Sequence, residues 1–246
     1  MKLNEKVALV TGSTTGIGAA TARSLASEGT HVIVSGRDDR RGRSVVDSIR
    51  AQGGAADFVA VALRDESSAR ALATDALDIA GRIDILVNNA AIGAFSATAA
   101  TTEGQFDDMY AVNVKVPFFL VAALAPPMAE RGEGVIVNVS TMVAGFGQAG
   151  AALYGSSKAA ISLLTKAWAA EFGPSGVRVN AVSPGPTRTD GTVAMGDALD
   201  QMAAAAPARR VASPEEIANT IVFLTTDAAS FIQGAVLPVD GGRAAV

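Results

Sequence analysis

Short runs of consecutive apolar residues alternate along this chain with segments whose apolar positions recur every three to four residues. The runs are Val7-Ala8-Leu9-Val10, His31-Val32-Ile33-Val34, Phe58-Val59-Ala60-Val61 and Ile83-Asp84-Ile85-Leu86-Val87. Val135-Ile136-Val137-Asn138-Val139, Val177-Arg178-Val179-Asn180-Ala181-Val182 and Ala235-Val236-Leu237-Pro238-Val239 continue the series. Runs this short and this apolar predict strands covered on both faces, the condition of a parallel sheet. Between them the helical period predicts helices over about 12–27, 38–52, 66–80, 103–130 (with Pro117 inside it) and 154–172. Ser213-Pro214-Glu215-Glu216 opens another, with an N-cap, a proline at the first helical position and acids in the first turn. Strand and helix alternating from end to end predict one α/β domain over 1–246, a Rossmann-like, doubly wound, seven-stranded parallel sheet with helices on both faces. The period breaks once, after Ser183-Pro184-Gly185-Pro186, and the segment 186–207 is expected to act as a substrate lid.

Composition narrows the chemistry. The chain has 246 residues, is 49% hydrophobic and carries a net charge of −4 without a basic run, which argues against a nucleic-acid partner. Cysteine is absent and His31 is the only histidine, so thiolate or multi-histidine metal sites, cysteine nucleophiles and a serine–histidine triad are all excluded. His31 is expected at the surface, and Trp168 in packing or a subunit contact. No signal-peptide core is read in the opening Met1-Lys2-Leu3-Asn4-Glu5-Lys6, and polar residues or prolines interrupt every long apolar stretch. The expectation is a cytoplasmic protein with no membrane partner.

Two patterns carry candidate function. Thr11-Gly12-Ser13-Thr14-Thr15-Gly16-Ile17-Gly18 follows a strand and opens a helix, so backbone N–H groups at a helix N-terminus can meet a pyrophosphate that missing Cβ atoms allow to approach. At the end of the second strand, Ser35-Gly36-Arg37 puts a guanidinium where an acid would bind a ribose 2′-hydroxyl. Arginine matches a 2′-phosphate, which favours NADP(H); Asp38 or Asp39 turning to the ribose would favour NAD(H) instead. Tyr154 and Lys158, four residues apart on a helix, share one face. An ammonium beside a phenol is expected to lower the phenol pKa and make it a proton donor and acceptor near neutrality. Pro117 has no N–H for the carbonyl of Asn113, which is thereby free to hold a water.

These elements occur in one order with Asn88-Asn89-Ala90, Asn113, Ser140, Tyr154-Gly155-Ser156-Ser157-Lys158, Pro184-Gly185 and the terminal Val239-Asp240-Gly241-Gly242. Along the whole chain the pattern resembles the short-chain dehydrogenase/reductase superfamily in its single-domain form. The resemblance implies hydride transfer between a nicotinamide and a ketone or secondary alcohol. It implies Tyr154 as general acid or base, Lys158 on the phenol and the nicotinamide ribose, Ser140 on the substrate oxygen, and Asn113 in a water relay to solvent. It places the cofactor along Gly12, Thr14, Thr15, Gly16, Ile17, Gly18, Arg37, Asn89, Ala90, Tyr154, Lys158, Pro184, Gly185, Thr187 and Thr189, and it implies no metal. It further implies a homotetramer or dimer built on the Asn113 and Tyr154 helices and the C-terminal strand.

The sequence departs from the family pattern at Ala91, where a glycine is usual, at Ala62, where an aspartate often holds the adenine, and at Thr15, often basic in NADP-preferring members. The segments expected around the substrate, Thr141-Met142-Val143-Ala144-Gly145-Phe146, Ile92-Gly93-Ala94-Phe95 and Thr192-Val193-Ala194-Met195-Gly196, are apolar. They suggest a neutral, hydrophobic ketone or alcohol. A reductase of 3-oxoacyl thioesters, with Arg209 and Arg210 toward a carrier protein, is the alternative, and a non-catalytic nucleotide-binding regulator the next.

Overall fold

In the computed structural model, which describes residues 3–246, strands β1 (Val7–Val10), β2 (His31–Gly36), β3 (Ala56–Ala60), β4 (Ile85–Asn88), β5 (Gly134–Val139), β6 (Val177–Pro184) and β7 (Val236–Val239) form one sheet. Met1 and Lys2, part of the N-terminal reading above, lie outside the described residues. Every pairing is parallel and the order is β3-β2-β1-β4-β5-β6-β7. The order reverses between β1 and β4, so the crevice beyond the carboxyl ends of those strands is where a ligand fits such a sheet.

The apolar runs are continuous because successive side chains serve different cores. Ala8 and Val10, Val32 and Val34, Ile85 and Val87, and Val135, Val137 and Val139 pack on one face with α1 (Gly16–Ser27), α2 (Asp39–Ala51) and α8 (Pro214–Thr225). Val7 and Leu9, Ile33, Leu86, Ile136, Val177 and Val179 pack on the other, with α3 (Glu66–Ala80), α5 (Val116–Glu130) and α6 (Ala152–Phe172). A period of two therefore divides the inner strands between two covered faces, while the edge strands β3 and β7 stay partly exposed.

The helix expected over 103–130 is three pieces: α4 (Glu103–Tyr110), a π-helical turn at Ala111–Lys115, and α5. Pro117 accounts for the break, since its ring opposes the carbonyl four residues earlier and it donates no N–H. Among the described residues this run alone is long and apolar enough to pass for a membrane span by length and composition. It serves as a core helix here, with Leu120, Val121, Leu124, Ala125 and Met128 buried. Helix α7 (Asp197–Ala204) lies within the 186–207 segment. That segment is tied at its start by Ala212 N–H to Pro186 O and Arg188 N–H to Ala212 O, and at its end by Ala208 N–H to Gly241 O.

Candidate active site

The β1–α1 turn is packed so tightly that its glycines have no substitute. A Cβ on Gly12 would lie 2.9 Å from Ala90 Cα, and one on Gly18 would run into the Gly12 carbonyl and the Asn89 amide. Thr11 Oγ1 accepts from the N–H groups of Asn89 and Ala90 at 2.9 and 3.0 Å, while Asn89 Nδ2 donates to Thr11 O and Gly12 O. The two strand ends flanking the crevice are thereby locked together. Thr14 packs where a Gly36 side chain would stand, and Thr189 comes within 3.1 Å of the Cβ position of Gly16.

Whether this turn suits a dinucleotide can be read from the start of α1. Thr15 occupies its N-cap without a side-chain cap, and no acid lies in the first turn. Helices α2, α3, α4 and α8 are instead capped by Asp38, Asp65, Thr102 and Ser213. An uncapped helix start facing the sheet's switch point fits a diphosphate. Arg37, just beyond β2, is exposed and has no hydrogen-bond or ion-pair partner among the described residues. The two acids beside it are engaged: Asp38 caps α2 through the Arg41 N–H and meets the Arg41 side chain at 3.3 Å, and Asp39 binds Arg43 at 2.8 Å. The residues present therefore fit a dinucleotide, with an unpaired guanidinium beyond β2.

On the other side of the crevice, a cavity of about 240 Å³ is lined by Phe95, Val143, Met142, Met195, Leu199 and Met202, with Ser140, Thr141, Tyr154, Lys158 and Thr192 among its polar groups. Ile17, Asn89, Pro184, Gly185, Thr187 and Thr189 reach the same cavity. The Gly185 turn is pressed against Asp240, whose Cα would sit 2.7 Å from an added Cβ. Thr187 is buried, donating to Gly185 O at 2.9 Å. Asn113, in the π turn, is 1% exposed; its amide donates to Ile92 O and Ser157 Oγ and its oxygen accepts from Ile92 N–H. Its side chain thus ties the loop after β4 to α6, close to Tyr154, whose ring lies 6.0 Å from that of Phe95.

Two expectations change. Ser140 lines the cavity with Tyr154, but its hydroxyl is engaged by α6: Oγ donates to Lys158 O at 3.2 Å and shares a 2.9 Å hydrogen bond with Ser162 Oγ. The hydroxyl that acts on Tyr154 through a side-chain hydrogen bond belongs to Thr141. The reason is strand parity. Ser140 continues the alternate positions Ile136 and Asn138 toward α6, where Asn138 bonds Thr165, and the next residue turns into the cleft. Apart from that parity, nothing in the sequence pattern marks which hydroxyl would face the site.

The second change is electrostatic. Burial pushes the Tyr154 phenol above its usual pKa, opposed only by the Thr141 hydrogen bond. Lys158 does not bring it down: its own pKa falls from 10.5 to about 8 through burial, and Nζ donates to Val139 O at 2.8 Å. Burial thus outweighs the expected ammonium–phenol effect.

Comparison with known proteins follows the same lines. A family profile described as "Enoyl-(Acyl carrier protein) reductase" matches residues 12–244. Cyclopentanol dehydrogenase of Comamonas testosteroni is 36% identical over 247 residues, covering 99% of each chain. A solved structure described as a short chain dehydrogenase/reductase family protein is 46% identical with a TM-score of 0.92, covering all of both chains. The structure of a blue fluorescent protein from a metagenomic library, in complex with NADPH, is 31% identical with a TM-score of 0.93, covering 99% of this chain and all of that one.

Proposed function

This chain belongs to the short-chain dehydrogenase/reductase family, and on that premise we propose that it is an NADP(H)-dependent oxidoreductase interconverting a neutral, apolar ketone and its secondary alcohol. The observation that carries the reading is the pairing of a free Arg37 beyond β2 with an apolar cavity around Tyr154. Gly12 to Gly18, Asn89, Ala90, Gly185, Thr187 and Thr189 would hold the dinucleotide, with its diphosphate at the start of α1 and its 2′-phosphate on Arg37. Bound there, the nicotinamide supplies or takes up the hydride.

The chain's own groups handle the proton. Tyr154, kept protonated by burial, is set to give its proton to the carbonyl oxygen of a ketone as the hydride reaches the carbonyl carbon. Thr141 would donate a hydrogen bond to that same oxygen and stabilise the charge that develops on it. Lys158 would turn from Val139 O toward the ribose and the phenol, and Asn113 would hold the water through which the proton is replaced. The thioether and phenyl groups of Met142, Met195, Met202 and Phe95 offer no cation to a charged substrate. A small alicyclic ketone, of the kind formed by the named activity of the Comamonas relative, suits such a lining.

The thioester reading has less support, because Arg210 is already held by both oxygens of Glu216 at 2.6 and 2.7 Å. Parallel titrations with NADPH and NADH, followed by nicotinamide fluorescence, test the cofactor assignment. NADPH is expected to bind at least tenfold tighter, and Arg37→Ala to abolish most of that preference. Equal affinity for NADPH in the variant removes Arg37 from the site.

A further inference from the structure

The last sequence motif, Val239-Asp240-Gly241-Gly242, takes no part in the proton or hydride chemistry, yet it shapes the end of the chain. Asp240 is 7% exposed, and its two carboxylate oxygens accept from Gly242 N–H at 2.9 Å and Ala244 N–H at 2.8 Å. Gly241 and Gly242 have φ of 66° and 86°. A Cβ on either would press on Ala208 or Pro207, at 2.8 and 2.9 Å, where the 186–207 segment ends. A carboxylate satisfied by two backbone N–H groups, with two left-handed glycines between, folds the tail back along the molecule.

That reversal delivers Arg243 to the substrate side. Its guanidinium carbon stands 4.8 Å from the centroid of the Phe146 ring. The guanidinium donates to Val246 O at 3.1 Å, and among the described residues no carboxylate side chain pairs with it. Phe146 belongs to the small apolar cluster of Met142, Val143, Ala151, Tyr154 and Met202. Met142, Val143 and Met202 in turn line the cavity beside the phenol. The ring is therefore the link between the chain terminus and the cavity wall, and its position rests on a cation held by a fixed turn.

We propose that Arg243 is a specificity-determining residue: stacked on Phe146, it sets how large a ketone or alcohol fits beside Tyr154. This rests on the reading that the Tyr154 cavity takes the carbonyl substrate. Loosening the stack lets Phe146 yield to a bulky ring, while a small substrate, already accommodated, gains nothing. A guanidinium–arene contact of this exposure supports an effect of about two- to fivefold.

The test compares cyclohexanone with 4-tert-butylcyclohexanone in the full-length protein. Arg243→Leu is expected to raise the ratio of kcat/KM for the bulky over the small ketone about two- to fivefold. NADPH affinity and kcat for cyclohexanone should stay unchanged. In a Phe146→Leu background the same substitution should have no further effect. An unchanged ratio, or a shift that persists without the phenyl ring, overturns the proposal. A second readout needs no turnover. With six methionines in the chain, methyl-13C labelling gives a short spectrum. Arg243→Leu should move the Met142 and Met202 signals and leave those of the core residues Met109 and Met128 in place. If the wild type reduces no ketone, the proposed function fails on its own account, and unmoved Met142 and Met202 signals still decide against the Arg243 link.

Discussion

At the scale of single residues, the difference between Ser140 and Thr141 is a difference of one position and one face. Both carry a hydroxyl at the end of β5, and only the parity of the strand sends Ser140 to α6 and leaves Thr141 at the phenol. Thr141→Val is expected to lower kcat about 10²- to 10³-fold, the usual cost of losing a donor to a developing oxyanion. Ser140→Ala should keep at least a tenth of the activity, and steady-state kinetics on both variants separates the roles. The reverse result would return Ser140 to the substrate oxygen. Lys158 gives a prediction without substrate. Its folded pKa of about 8 lies below the 10.5 of the open chain, so the unfolded state binds more protons between those values. Stability therefore rises with pH across that window. Below pH 8 the buried charge costs on the order of 3 kcal/mol, which is relieved by pH 10.5. Denaturant unfolding of the cofactor-free protein against Lys158→Met should show that difference closing from pH 8 to 10.5. A constant difference would mean that Lys158 keeps its ordinary pKa in the fold.

At the scale of elements, the seven strands are legible because each is a short, mostly apolar run, and the inner ones are covered on both faces. Their ends are less so. β2 runs on through Ser35 and Gly36 and β6 through Ser183 and Pro184, since ladder bonds continue where the apolar run has stopped. The break in the 103–130 helix is hidden for a different reason: Pro117 announces a disturbance, and only packing decides between a kink and a π turn. That turn places Asn113 where it holds both backbone groups of Ile92 and the Ser157 hydroxyl. Asn113→Ala leaves these groups to partly exposed solvent, for a loss of about 1–2 kcal/mol. Calorimetry should record a fall in Tm of roughly 2–8 °C for a chain of this size. KM for the ketone should rise as the Phe95 loop loosens against Tyr154. A variant with wild-type Tm and KM would show that the π turn holds the loop without the asparagine.

At the scale of the whole molecule, the doubly wound sheet leaves two apolar surfaces that its own helices do not cover. Phe106, Phe118 and Leu163 are 48, 44 and 68% exposed on α4, α5 and α6, which pack beside one another. Across the sheet, β7 is an edge strand with half-exposed side chains, and Phe231 next to it is fully exposed. Large apolar side chains in clusters and an unpaired sheet edge both favour association. If each face paired with its own copy, the two would suffice to build a tetramer of two-fold symmetries from one chain. We expect sedimentation velocity to show a tetramer. Because the faces are independent, each should fail alone: the pair Phe118→Glu and Leu163→Arg should leave a dimer joined at the β7 side. Phe231→Glu should leave the complementary dimer, and all three together a monomer. The substitutions lie on exposed positions away from the cavity, so NADPH should still bind the monomer. A wild-type monomer, or a tetramer untouched by the α5–α6 pair, would assign these faces to something other than copies of this chain.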